Sequence, residues 1–363
     1  MKIISICFTT TANNVFTEGF FNVCKGIEDY TSFNQTVVSS TITKEEIQLY
    51  NFKKINLFNY SKSNMLTISF IKKVIVQINK EKPDCIFFYG ENPIHAIISM
   101  IVHDNIKIFS HIADPKPHSG GNIVYKLLYF ISKIILIKRS KKILLASKTV
   151  RIDFIHFFKF WVNKSYLIHH SGILMLANLY SLKDDVERTR RSKNKKKYTF
   201  IFFGRIVKYK GLDRLINGFN EVSRNKDVTL MICGRGNIPK VNNTKIIIKN
   251  EFLPYTELLK YISESEAVVL PYLNASGTHT IQISNSLGVP VLATKVGCFK
   301  DYISDGINGS FISQPTKESI SDALLSFISK RKKFNEKKII KYNELHFSRS
   351  LATQEFVLEM NCM

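Results

Sequence analysis

The chain has 363 residues, 45% of them hydrophobic, and a formal charge of +23. That apolar share is normal for a globular protein with real cores, and the length suggests two domains. The charge favours anionic partners (nucleic acid, anionic lipid or phosphorylated substrates), while no stretch reaches the roughly 20 apolar residues of a membrane span.

Taken in chain order, the first run, Lys2–Phe8, reads as a strand. It is too short for a signal-peptide core and lacks a small-residue cleavage site. Further strand-like runs follow at Lys54–Phe58, Asp84–Tyr89, Ile106–Ser110, Lys142–Ala146 and Ser165–Ile168. Helical spacing fills the gaps, as at Met65–Asn79, Ile94–Ile101 and Ile123–Ile137. The second half repeats the alternation with strands at Tyr198–Phe203, Val228–Cys233, Lys245–Ile248, Ala267–Leu270 and Val289–Ala293. Strands separated by helices argue for βαβ units and parallel sheets. The fold class is therefore α/β, with two doubly wound, Rossmann-like domains facing a cleft.

Ser181–Lys197 has little apolar pattern and carries Arg188, Arg190, Arg191, Lys193, Lys195, Lys196 and Lys197. Dense like charge resists packing, so it reads as a solvated linker, and it would also attract anionic lipid. The expected boundaries are 1–175 for the first domain, 176–197 for the linker, 198–345 for the second domain and 346–363 for a last helix. The six cysteines include no C-x-x-C pair, and Cys7, Cys85 and Cys233 lie in apolar runs. They read as small core residues in a reducing compartment.

Two segments of the second half carry chemistry. The apolar run Tyr198–Phe203 stops at Gly204, then come Arg205, Lys210 and Gly211, then a helix-period pattern from Leu212. This places two cations near the carboxyl end of a buried strand, where open α/β sheets bind ligands. Cations with the free N–H groups of a helix start suit a phosphate or diphosphate. Further on, the strand Val268–Leu270 ends at Pro271, and Ser276, Gly277 and Thr278 precede a helical stretch, His279–Leu287. Taken alone, Ser276-Gly277-Thr278 is also a plain N-cap turn. Both elements in this order suggest that they converge on one diphosphate.

These residues carry a resemblance. Gly204-Arg205 with Lys210-Gly211, then Cys233-Gly234-Arg235-Gly236, Leu270-Pro271, Ser276-Gly277, Gly288-Val289-Pro290-Val291 with Val296-Gly297, and Asp305-Gly306-Ile307-Asn308-Gly309 span about 198–312. Over that stretch the chain resembles the donor domain of retaining family-4 glycosyltransferases with the GT-B fold. Asp114-Pro115-Lys116-Pro117-His118-Ser119-Gly120 is similar to a motif of some bacterial polysaccharide members. The resemblance implies transfer of a sugar from a nucleotide-diphosphate donor with the anomeric configuration kept. It implies no metal and no cofactor, the nucleotide sugar being a substrate. It makes 1–175 the acceptor side and 198–345 the donor domain, with the final helix packing back on the first.

One departure stands out. Many members carry two glutamates eight positions apart, the second holding the ribose and the first lying by the transferred sugar. Those positions here are Ala275 and Ile283, with Gln282 and Asn285 as nearby polar groups. Arg205 and Lys210 would stabilise the departing phosphate, and Gly204, Ser276, Gly277, Thr278 and Gln282 would line the donor site. Asn250 and Phe252 would approach the base. On the acceptor side, Asp114 and His118 are favoured as a pair over His111; all three would equally well tie down a Pro-rich loop. His95, after Asn92-Pro93, either faces the cleft or is packed, and His169-His170 reads as structural.

Ile123–Lys138 and Asp153–Trp161 combine apolar and aromatic residues with lysines. Such helices lie in lipid interfaces, or else are buried against the first sheet. A lipid surface would imply an acceptor linked to polyprenyl diphosphate. The expected partners are then a nucleotide sugar, that acceptor and an anionic membrane surface. No nucleic-acid recognition motif appears, and the basic residues scatter outside the linker, so no specific nucleic acid is expected. The location expected is cytoplasmic, peripheral on the inner face of the membrane. Two alternatives remain open: an impaired nucleotide-sugar-binding paralogue, and a nucleotide-sugar epimerase on the same scaffold.

Overall fold

The computed structural model describes residues 1–8, 15–40, 50–58, 67–116, 123–167, 198–330 and 334–361. The chain divides into two compact units, Met1–Leu174 with Phe347–Met363, and Met175–His346. The linker 176–197, His118, Ile168 and His169-His170 lie outside the described residues.

The first unit is built on β1 (Lys2–Cys7), α1 (Val15–Tyr30), β2 (Asn34–Ser39), β3 (Ile55–Leu57), α2 (Ile68–Glu81), β4 (Cys85–Tyr89) and α3 (Pro93–Ile101). It continues through β5 (Lys107–His111), α4 (Ile123–Arg139), β6 (Lys142–Leu145), α5 (Lys148–Phe157), a 3₁₀ segment (Lys159–Lys164) and β7 (Ser165–Leu167). Its seven strands lie in the order β3-β2-β1-β4-β5-β6-β7, and every pair is parallel. Helices cover both faces, so central strands such as Cys85–Tyr89 are buried along their whole length.

The second unit runs through β8 (Tyr198–Phe203), α6 (Leu212–Asn225), β9 (Val228–Cys233), β10 (Ile246–Lys249), α7 (Tyr255–Glu264) and β11 (Ala267–Leu270). Then come α8 (Thr280–Ser286), β12 (Val291–Thr294), α9 (Phe299–Tyr302), β13 (Gly309–Ile312), α10 (Lys317–Lys330) and α11 (Glu336–Phe347). The parallel sheet order is β10-β9-β8-β11-β12-β13. Both units are Rossmann-like α/β domains.

The last helix, α12 (Arg349–Asn361), belongs to the first unit. Its Phe356 and Met360 are fully buried in the core that also holds Phe20, Phe21 and Phe87. The Phe356 and Phe87 rings meet edge to face at 4.9 Å. Arg349 pairs with Asp29 at 3.2 Å, and Glu359 with Lys142 at 3.0 Å.

Each sheet reverses its winding once: between β1 and β4 in the first unit, and between β8 and β11 in the second. At such a reversal the loops leaving the two neighbouring strands part to opposite faces and open a crevice at the carboxyl edge. The loops after β8 and β11 are the Gly204–Gly211 and Pro271–Thr278 segments.

Candidate active site

The β8 loop folds as it does because of two glycines. Gly211 has φ +68° and starts α6; a Cβ there would lie 2.2 Å from the Pro271 carbonyl oxygen. Only glycine combines that backbone with that approach. Gly204 has φ +104°, and a Cβ there would meet the Lys210 ammonium at 3.0 Å. Lys210 is thus folded back over the glycine that ends β8. Its ammonium also stands 5.1 Å from the centre of the Tyr272 ring, within cation–π range.

The two loops are tied by backbone as well. Leu273 N donates to Tyr209 O at 2.7 Å. The loop of β8 and the loop of β11 therefore form one structure at the reversal point. Burial pushes the Lys210 ammonium down to about 8; the charge of Tyr209 opposes this and the neighbouring Arg205 adds to it. A cation so poorly solvated is stabilised by any anion that enters.

Arg205 is exposed at the same edge. The next loop reinforces it: Ile206 N donates to Arg235 O at 3.0 Å, and Gly236 N donates to Asn250 Oδ1 at 3.1 Å. Asn250 thus shapes the Arg235 loop, and Phe252 is largely exposed beside it. Arg235 is not among the site residues read from the sequence; Gly-Arg-Gly at the end of a buried strand is the signal that marks it. Tyr272, which supports Lys210, has no such signal, because its role arises from tertiary contact.

Ser276 and Thr278 are half-buried and Gly277 is exposed. Thr278 Oγ1 accepts from Thr280 N at 3.1 Å and so satisfies the first N–H of the seven-residue α8. Gln282 is fully buried, and its amide oxygen and nitrogen have no hydrogen-bond partner among the described residues. Asn285, by contrast, is spent on structure. Its Nδ2 donates to the carbonyls of Val289 and Asn308, and its Oδ1 accepts from Asn308 Nδ2 at 2.8 Å. It does not take over a ligand-binding role from the missing glutamates. Ala275 and Ile283 are themselves buried, so their positions are filled by packing.

In the first unit, His111 ends β5, buried, with its ring stacked on Tyr89 at 4.3 Å. Asp114 is half-buried, and its Oδ1 accepts from Lys116 N at 3.1 Å. The loop is pinned from below by a buried ammonium. Lys133 Nζ donates to the carbonyl oxygens of Asp114 and Pro115. Glu91 neutralises it at 3.6 Å and also accepts from Ala113 N at 3.3 Å. Lys133 reads in the sequence as one more charge on an apolar helix, and nothing there marks its anchoring role.

His95 is packed. Its Nδ1–H donates to Gly90 O at 2.8 Å and its Nε2 accepts from Phe8 N at 3.2 Å. Asn92 Nδ2 donates to Phe8 O at 2.9 Å. Together they hold the carboxyl end of β1 at the reversal point of the first sheet. Burial pulls the His95 ring down to about 4, against the bond to Gly90. Among the described residues, no three His, Cys, Asp or Glu side chains gather to hold a metal ion.

Residues 183–345 match the family Glycosyl transferases group 1. No curated protein matches the chain by sequence. Among solved structures, the chain is similar to HepE of Anabaena in complex with UDP and glucose, with 14% identity, all of both chains covered and a TM-score of 0.78. It is similar to the lipopolysaccharide outer core galactosyltransferase WaaB, with 14% identity, 100% of this chain and 99% of that one covered, and a TM-score of 0.67. It is also similar to the UDP-GlcNAc 2-epimerase of Neisseria meningitidis bound to UDP-GlcNAc, with 12% identity, all of both chains covered and a TM-score of 0.63. The segment 183–345 is thus a glycosyl transferases group 1 domain, in a chain with the GT-B fold of glycosyltransferases.

Proposed function

We propose that the chain is a retaining glycosyltransferase of hexosyl type. It moves a sugar from a nucleotide-diphosphate donor to a glycan acceptor linked to polyprenyl diphosphate, during assembly of a surface polysaccharide. It works at the inner face of the cytoplasmic membrane and uses no metal. The observation that carries this reading is the desolvated ammonium of Lys210, held over Gly204 and against Tyr272 where the winding of the second sheet reverses. HepE, which binds UDP and glucose, and WaaB, a lipopolysaccharide galactosyltransferase, share the fold and support it.

The chemistry follows from charge. Breaking the bond between the anomeric carbon and the diphosphate oxygen leaves negative charge on the nucleoside diphosphate. Lys210 and Arg205, fixed before the bond breaks, stabilise that charge more in the transition state than in the ground state. With retention, the departing phosphate oxygen takes the proton of the incoming acceptor hydroxyl on the same face, and a separate protein base is not required. Asp114, His111 and His118 would orient the acceptor. The test incubates the protein with labelled UDP- and GDP-sugars and a membrane lipid acceptor. Glycolipid formation with the configuration kept supports the proposal, and no turnover with any donor sinks it.

An epimerase is the second reading, favoured by the fold shared with the Neisseria meningitidis enzyme. It predicts interconversion of free donor with no acceptor, read by proton NMR. Donor binding with neither reaction would mark a binding paralogue, for which the buried Ala275 and Ile283 in place of carboxylates are the motive.

A further inference from the structure

We propose that the first unit docks on an anionic lipid bilayer through the amino-terminal half of α4 and the neighbouring segment 152–160. This deepens the proposed function and rests on it for its biological sense, since it names the surface on which a lipid-borne acceptor is met. Its physical grounds are separate. The last turns of α4 are buried through Ser132, Lys133, Leu136 and Ile137, whereas the first turns are not. Residues 123–131 are apolar or aromatic apart from Lys126. Yet Ile123 is 76% exposed, Val124 67% and Leu127 59%. Ile152 is exposed as well, and Phe160 stands 96% exposed, a position no core or fold requirement explains.

The two stretches are neighbours. Phe130 of α4 stacks on Phe158 at 6.2 Å, and Phe158 packs on Trp161. An exposed apolar surface of this extent marks an interaction site. Its charge says with what. Segments 123–139 and 148–164 carry eight Lys and Arg residues and one acid of their own, Asp153; two of the eight, Lys133 and Arg139, are met by Glu91 and Asp104 from outside the segments. Asp153 is paired with Lys116 at 2.8 Å. Lys126, Lys148 and Lys159 make no ion pair among the described residues. Apolar and aromatic side chains interleaved with unpaired lysines fit the headgroup boundary of an anionic membrane. A second copy of the chain is disfavoured, because each carries +23.

The experiment is co-sedimentation of the full chain with vesicles, without donor. Binding to equimolar phosphatidylcholine and phosphatidylglycerol is expected to exceed binding to phosphatidylcholine alone by about tenfold or more. The pair Leu127→Ser with Phe160→Ser, and the pair Lys126→Glu with Lys159→Glu, are each expected to weaken it about tenfold. Unchanged far-ultraviolet circular dichroism and an unchanged melting temperature would show that both variants keep the first unit, which carries all four positions, folded. Wild-type vesicle binding in both variants overturns the proposal, as does equal binding to the two vesicle types. So does a dimer, seen by light scattering, that the Ser pair dissolves. Vesicle binding by a chain that shifts with no nucleotide would leave this surface standing and remove the transferase reading instead.

Discussion

The ammonium of Lys210 and the ring of Tyr272 stand 5.1 Å apart, across the point where the second sheet reverses its winding. The contact replaces water by a ring face, which attracts the cation without neutralising it. The charge is left for an anion. Removing it should act on the departing diphosphate. Lys210→Ala and Arg205→Ala are each expected to lower the transfer rate at least about tenfold, or about 1.4 kcal/mol of transition-state stabilisation. Steady-state kinetics with the active donor checks this, and wild-type rates in both variants would remove the proposed clamp.

The same desolvation makes donor binding depend on pH. In the free protein Lys210 loses its proton near 8 rather than 10.5. A bound diphosphate raises that value again, because it favours the charged form. Affinity for UDP or GDP should therefore be level from about pH 7 to 8, where the terminal phosphate is already ionised, and fall by up to about tenfold per pH unit above that. Calorimetry in buffers of different ionisation heat should show proton uptake on binding in that range, and Lys210→Met should abolish the uptake. For the stability of the free protein the sign is opposite. The folded-state value is depressed, so this group's contribution is fully favourable only above 10.5 and is lost as pH falls through 8.

Gly211 tests the join between the two loops. Its φ of +68° and the 2.2 Å approach to the Pro271 oxygen leave no space for a methyl group. Gly211→Ala must push the β8 loop away from Pro271 and strain its own backbone, at a cost on the order of 1–3 kcal/mol. A lowered melting temperature with weakened nucleotide binding is expected. Gly306→Ala is the control: its φ is +77°, with no atom within 4 Å of the added carbon. It bears the strain without the clash, and nucleotide binding should survive it.

Much of this arrangement is legible in the sequence. Strands buried along their whole length, such as Cys85–Tyr89 and Ala267–Leu270, read as unbroken apolar runs, and glycine and proline mark where they stop. β2 escapes because Asn34 and Gln35 look like loop. Gln35 is nevertheless buried, accepting from Ser5 Oγ at 2.9 Å and donating to Cys24 O at 2.7 Å. β13 escapes because four residues beginning with glycine carry no periodicity. In the site, Arg205 and Lys210 are legible because cations after a buried strand are uncommon. Tyr272, Lys133 and the Asn285–Asn308 pair are not. Their roles come from partners distant in sequence, which one chain read in order does not bring together.

Lys133 offers a test of the acceptor side. Lys133→Met keeps most of the side chain's length and removes the donor to the Asp114 and Pro115 carbonyls, leaving the half-buried Glu91 without its cation. The loop carrying Asp114 should loosen. If Asp114 orients the acceptor, KM for acceptor rises severalfold while the affinity for nucleotide, proposed to be held by the other unit, does not change. Equal losses on both sides would mean a general folding defect, and the double variant Lys133→Met with Glu91→Gln, which leaves no charge of this pair unpaired, should then recover stability.

His95 should make the first unit sensitive to acid. Its folded-state value is about 4 against the usual 6.5, with burial as the main cause. The neutral ring is the form that fits: Nδ1–H donates to Gly90 O while Nε2 accepts from Phe8 N. A second proton on Nε2 would face the Phe8 N–H and break that bond. Because the value is depressed on folding, the stability is present in full above 6.5 and is lost as pH falls from 6.5 towards 4. Over that window the loss is about 3 kcal/mol for a fully buried ring. The single tryptophan, Trp161, lies in this unit and reports on it alone. His95→Gln, which can donate and accept but does not titrate, should be less stable at neutral pH, yet its tryptophan-monitored melting temperature should change less between pH 6.5 and 4. Parallel slopes for the two proteins would show that the acid sensitivity of this unit has another source.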